Sequence, residues 1–372
     1  MGNGSLVGSL LCTPPGIRSV YGGASQLCIR RGGSAYLRRT IFVPVRRVIV
    51  PHGEVQRATG IGFNGKPVAV KTTWRFTCHG RPEMKIGAST YSLRKAMDEG
   101  TLDFWGVFDW LADNGAEHIE IVPLADLGLV VTPDLADAMA AKARQVGLDI
   151  SCYTFGASFI DKTQDEYATE LERVLGEIDN AARMGTKLVR HDVASRPAEK
   201  ATDEQFEQDL PLLVEACGRV ADYAVKHGIT TMVENHGFHV QGGSRLVRIC
   251  EEVARDNFRL LVDTGNFFPV ELDNTLNAIA QCAPFAAMVH VKDHHIRTSP
   301  PEAPADWRDR GRGVFTRVAV AGEGDIGIDE AIRSLSAAGY DGYLSLEYEG
   351  PQEARSANQK GFDNLRSVLQ QL

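Results

Sequence analysis

The sequence predicts a (β/α)8 barrel over residues 84–372, preceded by an irregular basic N-terminal extension over residues 1–83. From Met84 onward, short β-rich runs alternate with amphipathic helical stretches, the pattern of βα units on a parallel sheet. Eight such units fit into this stretch, which matches an α/β barrel in number and size. Gly115, Gly147, Gly185 and Gly228 each fall near a helix end and before the next strand, where a left-handed cap is needed. The main rival, a doubly wound open sheet, loses support because no GxGxxG follows the first strand.

The first strand is expected over Lys85–Thr90, with a helix over Phe104–Asn114. Strand two is expected over His118–Val122 and its helix over Pro133–Val146, opened by a proline at the first helical position. Strand three spans Asp149–Tyr153 and is followed by a long helix, Asp165–Met184. Strand four spans Lys187–His191, with a helix over Asp203–His227. Strand five is Thr230–Asn235, with a helix over Ser244–Ala254; strand six is Arg259–Asp263, with a helix over Leu272–Gln281. Strand seven is Ala286–Val291. The segment from Asp293 to Asp325 is too long for a connector, and is expected to be a lid, a subunit contact or a disordered excursion. A helix over Asp329–Ala338, strand eight over Gly342–Glu347 and a last helix over Ala354–Gln370 complete the count.

Composition narrows the class of partner. The chain of 372 residues is 43% hydrophobic and 24% charged, values of a folded globular protein. No run of 18 apolar residues occurs, so no membrane span is expected. The seven cysteines are scattered without CxxC spacing, which fits a reducing compartment and a cytoplasmic protein. The net charge of -8 hides a split. Residues 1–83 hold 12 Lys+Arg against Glu54 and Glu83, a net +10, which leaves -18 for the remainder. A body this acidic repels phosphate backbones, so no nucleic-acid partner is expected. The basic stretch shows Gly/Ser clusters, Arg pairs and one possible strand over Thr40–Val50. An organellar leader is one reading of it. The favoured reading is a disordered tail or sequence upstream of a natural start at Met84.

Barrels carry their chemistry at the C-terminal ends of the strands. Strand five closes with Glu234, strand six with Asp263, strand seven with His290 and strand eight with Glu347. Neighbouring strands lie ~4.8 Å apart, so four successive ends converge on one point. Three carboxylates and an imidazole suit one divalent ion, with Mn2+ the expected metal and Mg2+, Co2+ or Zn2+ as alternatives. A cation also offsets the cost of burying unpaired carboxylates. His191 closes strand four and is a candidate general base or substrate donor, with a structural role as the alternative. Glu120 in strand two, Lys292, Asn266 and one of His236 and His239, taken as His236, are candidate substrate-binding residues. Lys292 has pairing with Asp293 as its other reading, and His294 and His295 are expected to be solvated. His227, at a helix end, is read as structural. His118 begins its strand, at the wrong end of the barrel, and Cys152 is read as a small core residue.

The order Glu, Asp, His, Glu on strands five to eight resembles the xylose isomerase-like barrel superfamily, and within it the sugar phosphate isomerase/epimerase group. The residues that carry the resemblance are Val233–Gly237, Val262–Asn266, Val289–Asp293, Gly322–Ile326 and Leu346–Glu349. The resemblance implies one divalent ion held by Glu234, Asp263, His290 and Glu347, a small carbohydrate substrate and a homo-oligomer. It also implies that Glu234 and Glu347 move a proton, one from each face of the substrate. Chelation of a keto and a hydroxyl oxygen would acidify the neighbouring C–H by stabilising an enediolate, with two carboxylates as base and acid. The expected activity is therefore a metal-dependent sugar isomerase or epimerase. Two departures weigh against a ketose 3-epimerase. Asn266 stands where those enzymes place a histidine, and Val240 where they place a glutamate. A lyase of the inosose dehydratase or keto-glycoside-cleaving kind is the alternative, with His191 as an extra base. A non-catalytic sugar-binding scaffold is a third reading. Asn266 also replaces a histidine ligand of the three-zinc apurinic endonucleases of the superfamily.

Overall fold

The computed structural model describes residues 58–61, 67–70, 84–311 and 313–372. The chain divides into two units, Met1–Gly80 and Arg81–Leu372. In the first, Ala58–Ile61 pairs antiparallel with Pro67–Val70. The strand expected over Thr40–Val50 and the other expectations for the basic stretch lie outside the described residues.

The second unit is a closed barrel of eight parallel strands. The strands are Lys85–Ser89, His118–Ile121, Asp149–Phe155, Leu188–His191, Thr230–Glu234, Phe258–Asp263, Ala286–Val291 and Tyr343–Leu346. Strand eight pairs with both strand one and strand seven and so closes the ring. Helices follow the strands at nearly the expected places. Pro133–Val146 and Ala354–Gln370 coincide with the sequence reading, and Phe104–Asp113, Gln164–Met184, Gly243–Val253 and Ile328–Ala337 differ from it by a residue at one or both ends. The helix Asp203–Ala224 continues through a tight 3-10 turn to His227. The helix Gln164–Met184 opens with a capping box. Glu166 N–H donates to Thr163 Oγ1 at 3.3 Å, and Thr163 N–H donates to Glu166 Oε2 at 2.8 Å. Gly147 and Gly185 end their helices in the left-handed region, at φ 79° and 81°.

Two crossovers depart from expectation. The single helix expected over Leu272–Gln281 is broken into Phe268–Glu271, a 3-10 turn over Leu272–Asn274, and Thr275–Cys282. Leu272 adopts φ 48°, and the Glu271 carboxylate binds Gly243 N–H and Asn274 Nδ2, which together stop the helix. The segment after strand seven is a three-stranded antiparallel sheet, Asp293–Arg297, Phe315–Ala319 and Arg308–Asp309, and not a disordered excursion. Both of its ends are gathered by one side chain. The buried Asp293 carboxylate accepts backbone N–H groups from His294 at 2.8 Å, Gly322 at 3.0 Å, Gly324 at 2.9 Å and Ile326 at 3.3 Å. Gly324 has no alternative, because a Cβ there would lie 2.6 Å from His294 O.

The period-two alternation of each strand divides the interior into two cores. Ile119, Val189, Val233, Val262, Val289 and Leu344 face outward and pack with the helices in the main core. Cys152, Met232, Leu261 and Met288 form a separate buried cluster inside the barrel. Two residues further along the same strands stand Thr154, Glu234, Asp263 and His290, all buried. The barrel therefore holds an apolar plug with a wholly polar layer on top of it, at the strand C-termini.

Candidate metal centre

Glu234 and Asp263 are the last residues of strands five and six, and His290 lies one short of the end of strand seven. Glu347 lies one residue past strand eight, where its N–H still bonds to Val291 O at 3.3 Å. One ligand atom from each of the four lies within 4.8 Å of all the others. His290 Nδ1 is 3.5 Å from Glu234 Oε1, 3.8 Å from Asp263 Oδ2 and 3.6 Å from Glu347 Oε2. All but Glu347 are buried.

Backbone and side-chain partners fix each group. Asp263 Oδ1 accepts N–H bonds from Gly265 at 2.8 Å and Asn266 at 2.9 Å. Asn235 joins strands five and six by exchanging two bonds of 2.8 Å with the Asp263 backbone. Glu234 accepts from Arg190 at 2.7 Å and from Asn266 Nδ2 at 3.0 Å. Glu347 Oε2 lies 2.6 Å from Lys292 Nζ, which also reaches Glu349 at 2.7 Å and Asp263 Oδ2 at 3.5 Å. Gly265 lets the chain pass this lysine, since a Cβ there would sit 2.9 Å from Lys292 Cγ.

The electrostatics are those of a site short of positive charge. Burial pushes the Asp263 carboxyl up to about 7, aided by the carboxylates of Glu347 and Glu234. Burial acts the same way on Glu347 and Glu234, but is outweighed. Lys292 and His290 bring Glu347 down to about 2, and Arg190 and His290 hold Glu234 well below the usual carboxylate range. Burial pulls the His290 imidazole down, and Glu120, Glu347 and Glu234 overcome it and hold it well above its ordinary value. His290 Nδ1 and Asp263 Oδ2 are buried without a hydrogen-bond partner, and they face each other across the cluster. Orphaned buried groups of this kind are costly. A divalent cation satisfies both, and the donor set of three carboxylates and one imidazole fits one.

Three of the residues singled out in the sequence lie elsewhere than expected. Glu120 is turned toward His290. It is fully buried in the polar layer, with both carboxylate oxygens 2.8–2.9 Å from His290 Nε2 and with Thr154 and Ser345 hydroxyls donating to it. His191 is not at the cluster. Alternation turns Arg190 inward on strand four and His191 outward, where it stacks edge-on to Phe159 and its Nδ1 lies 2.9 Å from Asp192 O. Burial holds that imidazole near 4, so it stays neutral. His236 is half-exposed and reaches the cluster only through others. Its Nδ1 lies 3.1 Å from Asp192, which binds Arg190 at 2.6 Å, which binds Glu234. His239 is buried 2.8 Å from Asp209. Lys292 and Asn266 do stand beside the ligand set, but Lys292 does not pair with Asp293. His294 is buried, not solvated. Arg190, Asn235 and Glu349 were not singled out in the sequence. Counting back by twos from Glu234 and Asp263 to Met232 and Leu261, and carrying that alternation to strand four, points to Arg190.

The fold and the place of this cluster put the chain among the α/β barrels that gather their polar site at the strand C-termini. The chain belongs to the xylose isomerase-like TIM barrel family, whose model matches residues 108–368. It is 26% identical over 215 residues to the inosose dehydratase of Geobacillus thermodenitrificans, a match covering 55% of this chain and 70% of that protein. The crystal structure of 3-keto-D-glucoside 4-epimerase from E. coli is similar with a TM-score of 0.57 at 16% identity, over 76% of this chain and 99% of that one. A xylose isomerase-like TIM barrel protein from Mycobacterium smegmatis, in complex with magnesium, is similar with a TM-score of 0.57 at 18% identity, over 78% of this chain and 97% of that one.

Proposed function

We propose that the protein is a divalent-metal-dependent isomerase or epimerase that moves a proton at the carbon beside the carbonyl of a keto-sugar. One observation carries the reading: Glu234, Asp263, His290 and Glu347 converge with His290 Nδ1 and Asp263 Oδ2 left unpartnered. These four would hold the ion, with Mn2+ the first choice and Mg2+, Co2+ or Zn2+ the others. When bound, such an ion supplies Lewis acidity that makes a C–H beside a carbonyl easier to ionise. Glu234 ends strand five and Glu347 directly follows strand eight, with strands six and seven between them. One takes the proton from carbon, and the other returns a proton to the same carbon or its neighbour. Arg190 keeps Glu234 charged and ready to accept, and Lys292, 2.6 Å from Glu347, is the donor from which that carboxylate would take the proton it returns. Lys292 and Asn266 also offer donors toward a substrate oxygen at the edge of the cluster.

A second reading, a lyase that expels a β-substituent after the same proton removal, is favoured by the likeness to inosose dehydratase and by Asn266. A cytoplasmic homo-oligomer is the setting we infer for either reaction. All four described cysteines are free and buried, as in proteins of reducing compartments. Among the described residues, no helix is long and apolar enough to cross a membrane.

The test is solvent exchange. The full chain is loaded with Mn2+ in D2O and incubated with ketoses, inososes and 3-keto-glycosides, and NMR reads deuterium uptake and products. Deuterium is expected at the carbon beside the carbonyl, and both Glu234→Gln and Glu347→Gln are expected to abolish it. The product separates isomerase, epimerase and lyase. A chain that purifies without stoichiometric metal and exchanges nothing favours the sugar-binding scaffold instead.

A further inference from the structure

We propose that the cavity between the accessory sheet and the end of strand eight is an anion-binding subsite, for a carboxylate or phosphate carried by the sugar. The inference rests on the proton-transfer reading above and names the class of substrate, a sugar acid or a sugar phosphate. The cavity, of about 230 Å³, is lined by His294, Trp307, Arg308, Arg310, Thr316 and Glu349 among others. The sheet register puts a buried neutral histidine and an arginine on its inner face. His294 stands opposite Val318, and Ile296 and Arg308 both stand opposite Thr316, so His294 and Arg308 share a face. Arg310 is held toward the same face by its Nε donating to Thr316 Oγ1 at 2.8 Å.

Three features suit this cavity to an anion. First, most arginines of the barrel have an ion pair, for example Arg190, Arg196, Arg245 and Arg255. Among the described residues, Arg308 and Arg310 have none, and neither do Arg297 and Arg317, whose guanidiniums lie 5.0 and 5.3 Å from the Trp307 ring. Paired guanidiniums without a carboxylate partner match the geometry of a bound carboxylate or phosphate. The acids at the cavity do not serve, since Glu349 is taken by Lys292 at 2.7 Å and, among the described residues, Asp306 is within ion-pair distance of no arginine. Second, His294 is only 4% exposed, lines the cavity and has a buried Nδ1 with no partner. Third, the cavity adjoins the reacting centre. Glu349 lines it and binds Lys292, which binds Glu347. Arg310 lines both this cavity and a neighbouring one of about 510 Å³ bordered by Phe238 and Glu271. Arg308 and Arg310, unpaired among the described residues, also give incoming anions a local target on an acidic barrel.

The full chain is titrated calorimetrically with D-glucuronate, D-glucose 6-phosphate and D-glucose, at low and high salt, with Mn2+ affinity measured on the same samples. At least one charged sugar is expected to bind ~10-fold or more tightly than glucose at low salt, the difference one charge-assisted contact supplies. The preference is expected to shrink at high salt, to vanish in Arg308→Gln/Arg310→Gln and to survive in part in Arg310→Lys. The tighter of the two charged sugars identifies carboxylate or phosphate as the group held. Equal binding of glucose and both charged sugars overturns the proposal, as does a preference that the double variant retains. If the double variant does not fold, Arg310→Gln against Arg310→Lys carries the same decision. A chain that binds no Mn2+ but keeps the arginine-dependent preference refutes the proposed reaction and not the subsite; the converse refutes the subsite alone.

Discussion

Among single residues, Glu120 shows how far a side chain acts beyond its own contacts. Its carboxylate accepts at His290 Nε2, and hydroxyls of Thr154 and Ser345 fix it in turn, so it sets which imidazole nitrogen faces the three ligand carboxylates. It is a positioning residue. Glu120→Gln is expected to weaken Mn2+ binding roughly 10- to 100-fold in chelator competition and to shift the 15N resonances of His290. Unchanged resonances would show that the pair does not set the tautomer. Gly87 answers to packing alone. A Cβ there would lie 2.7 Å from His118 Cδ2 and closer still to the His118 carbonyl, so Gly87→Ala is expected to cost about 1–3 kcal/mol in urea denaturation. Residue identity at strand ends was readable because each ligand follows an apolar run that names its strand. Side-chain direction was not. Nothing local distinguishes Arg190, which turns inward, from His191, which turns outward, until the register of the whole ring is known.

Elements follow sequence where local chemistry is decisive. Thr163 and Glu166 announce the helix Gln164–Met184 by their spacing, and Thr163→Ala is expected to remove about 1 kcal/mol of stability by urea denaturation with the barrel otherwise intact. The eight strands were legible for the same reason, through alternation and glycine-capped helices. The break at Leu272 was not, because it depends on Glu271 reaching Gly243 on another helix. The accessory sheet was hidden too. Its strands carry Arg, His and Asp at both faces, so no apolar alternation marks them, and pairing across a long connection sets their register.

Over the whole molecule, two couplings follow. His118, buried at the closed end of the barrel, donates its Nε2–H to Leu344 O, 3.1 Å away, and has Glu120, Asp149, Lys85 and Tyr343 as its charged or titratable neighbours. Burial lowers it to about 4, below its unfolded value near 6.5. The folded state therefore resists protonation while the unfolded chain accepts it. Stability is expected to be unaffected above pH 6.5 and to fall by about 3 kcal/mol between pH 6.5 and 4. His118→Gln is expected to remove its share of the slope of urea-denaturation stability over that window and to leave the share of His191, which burial also holds near 4; an unchanged slope would place the acid sensitivity elsewhere. Metal is the second coupling. Mn2+ at about 100 times its Kd is expected to stabilise the chain by ~2.7 kcal/mol, reversed by EDTA and absent in Glu234→Gln, as read from the melting temperature.

The Asp293 clasp has a consequence for how such a chain changes over time. Because one carboxylate pins both the departure and the return of the accessory sheet, strand seven and the following helix see the same two endpoints whatever lies between them. Lengthening or rewriting the interval costs little closure entropy. Insertions and charge swaps in it leave the barrel's register untouched. The mouth of the barrel is thus free to diversify while Glu234, Asp263, His290 and Glu347 keep their places.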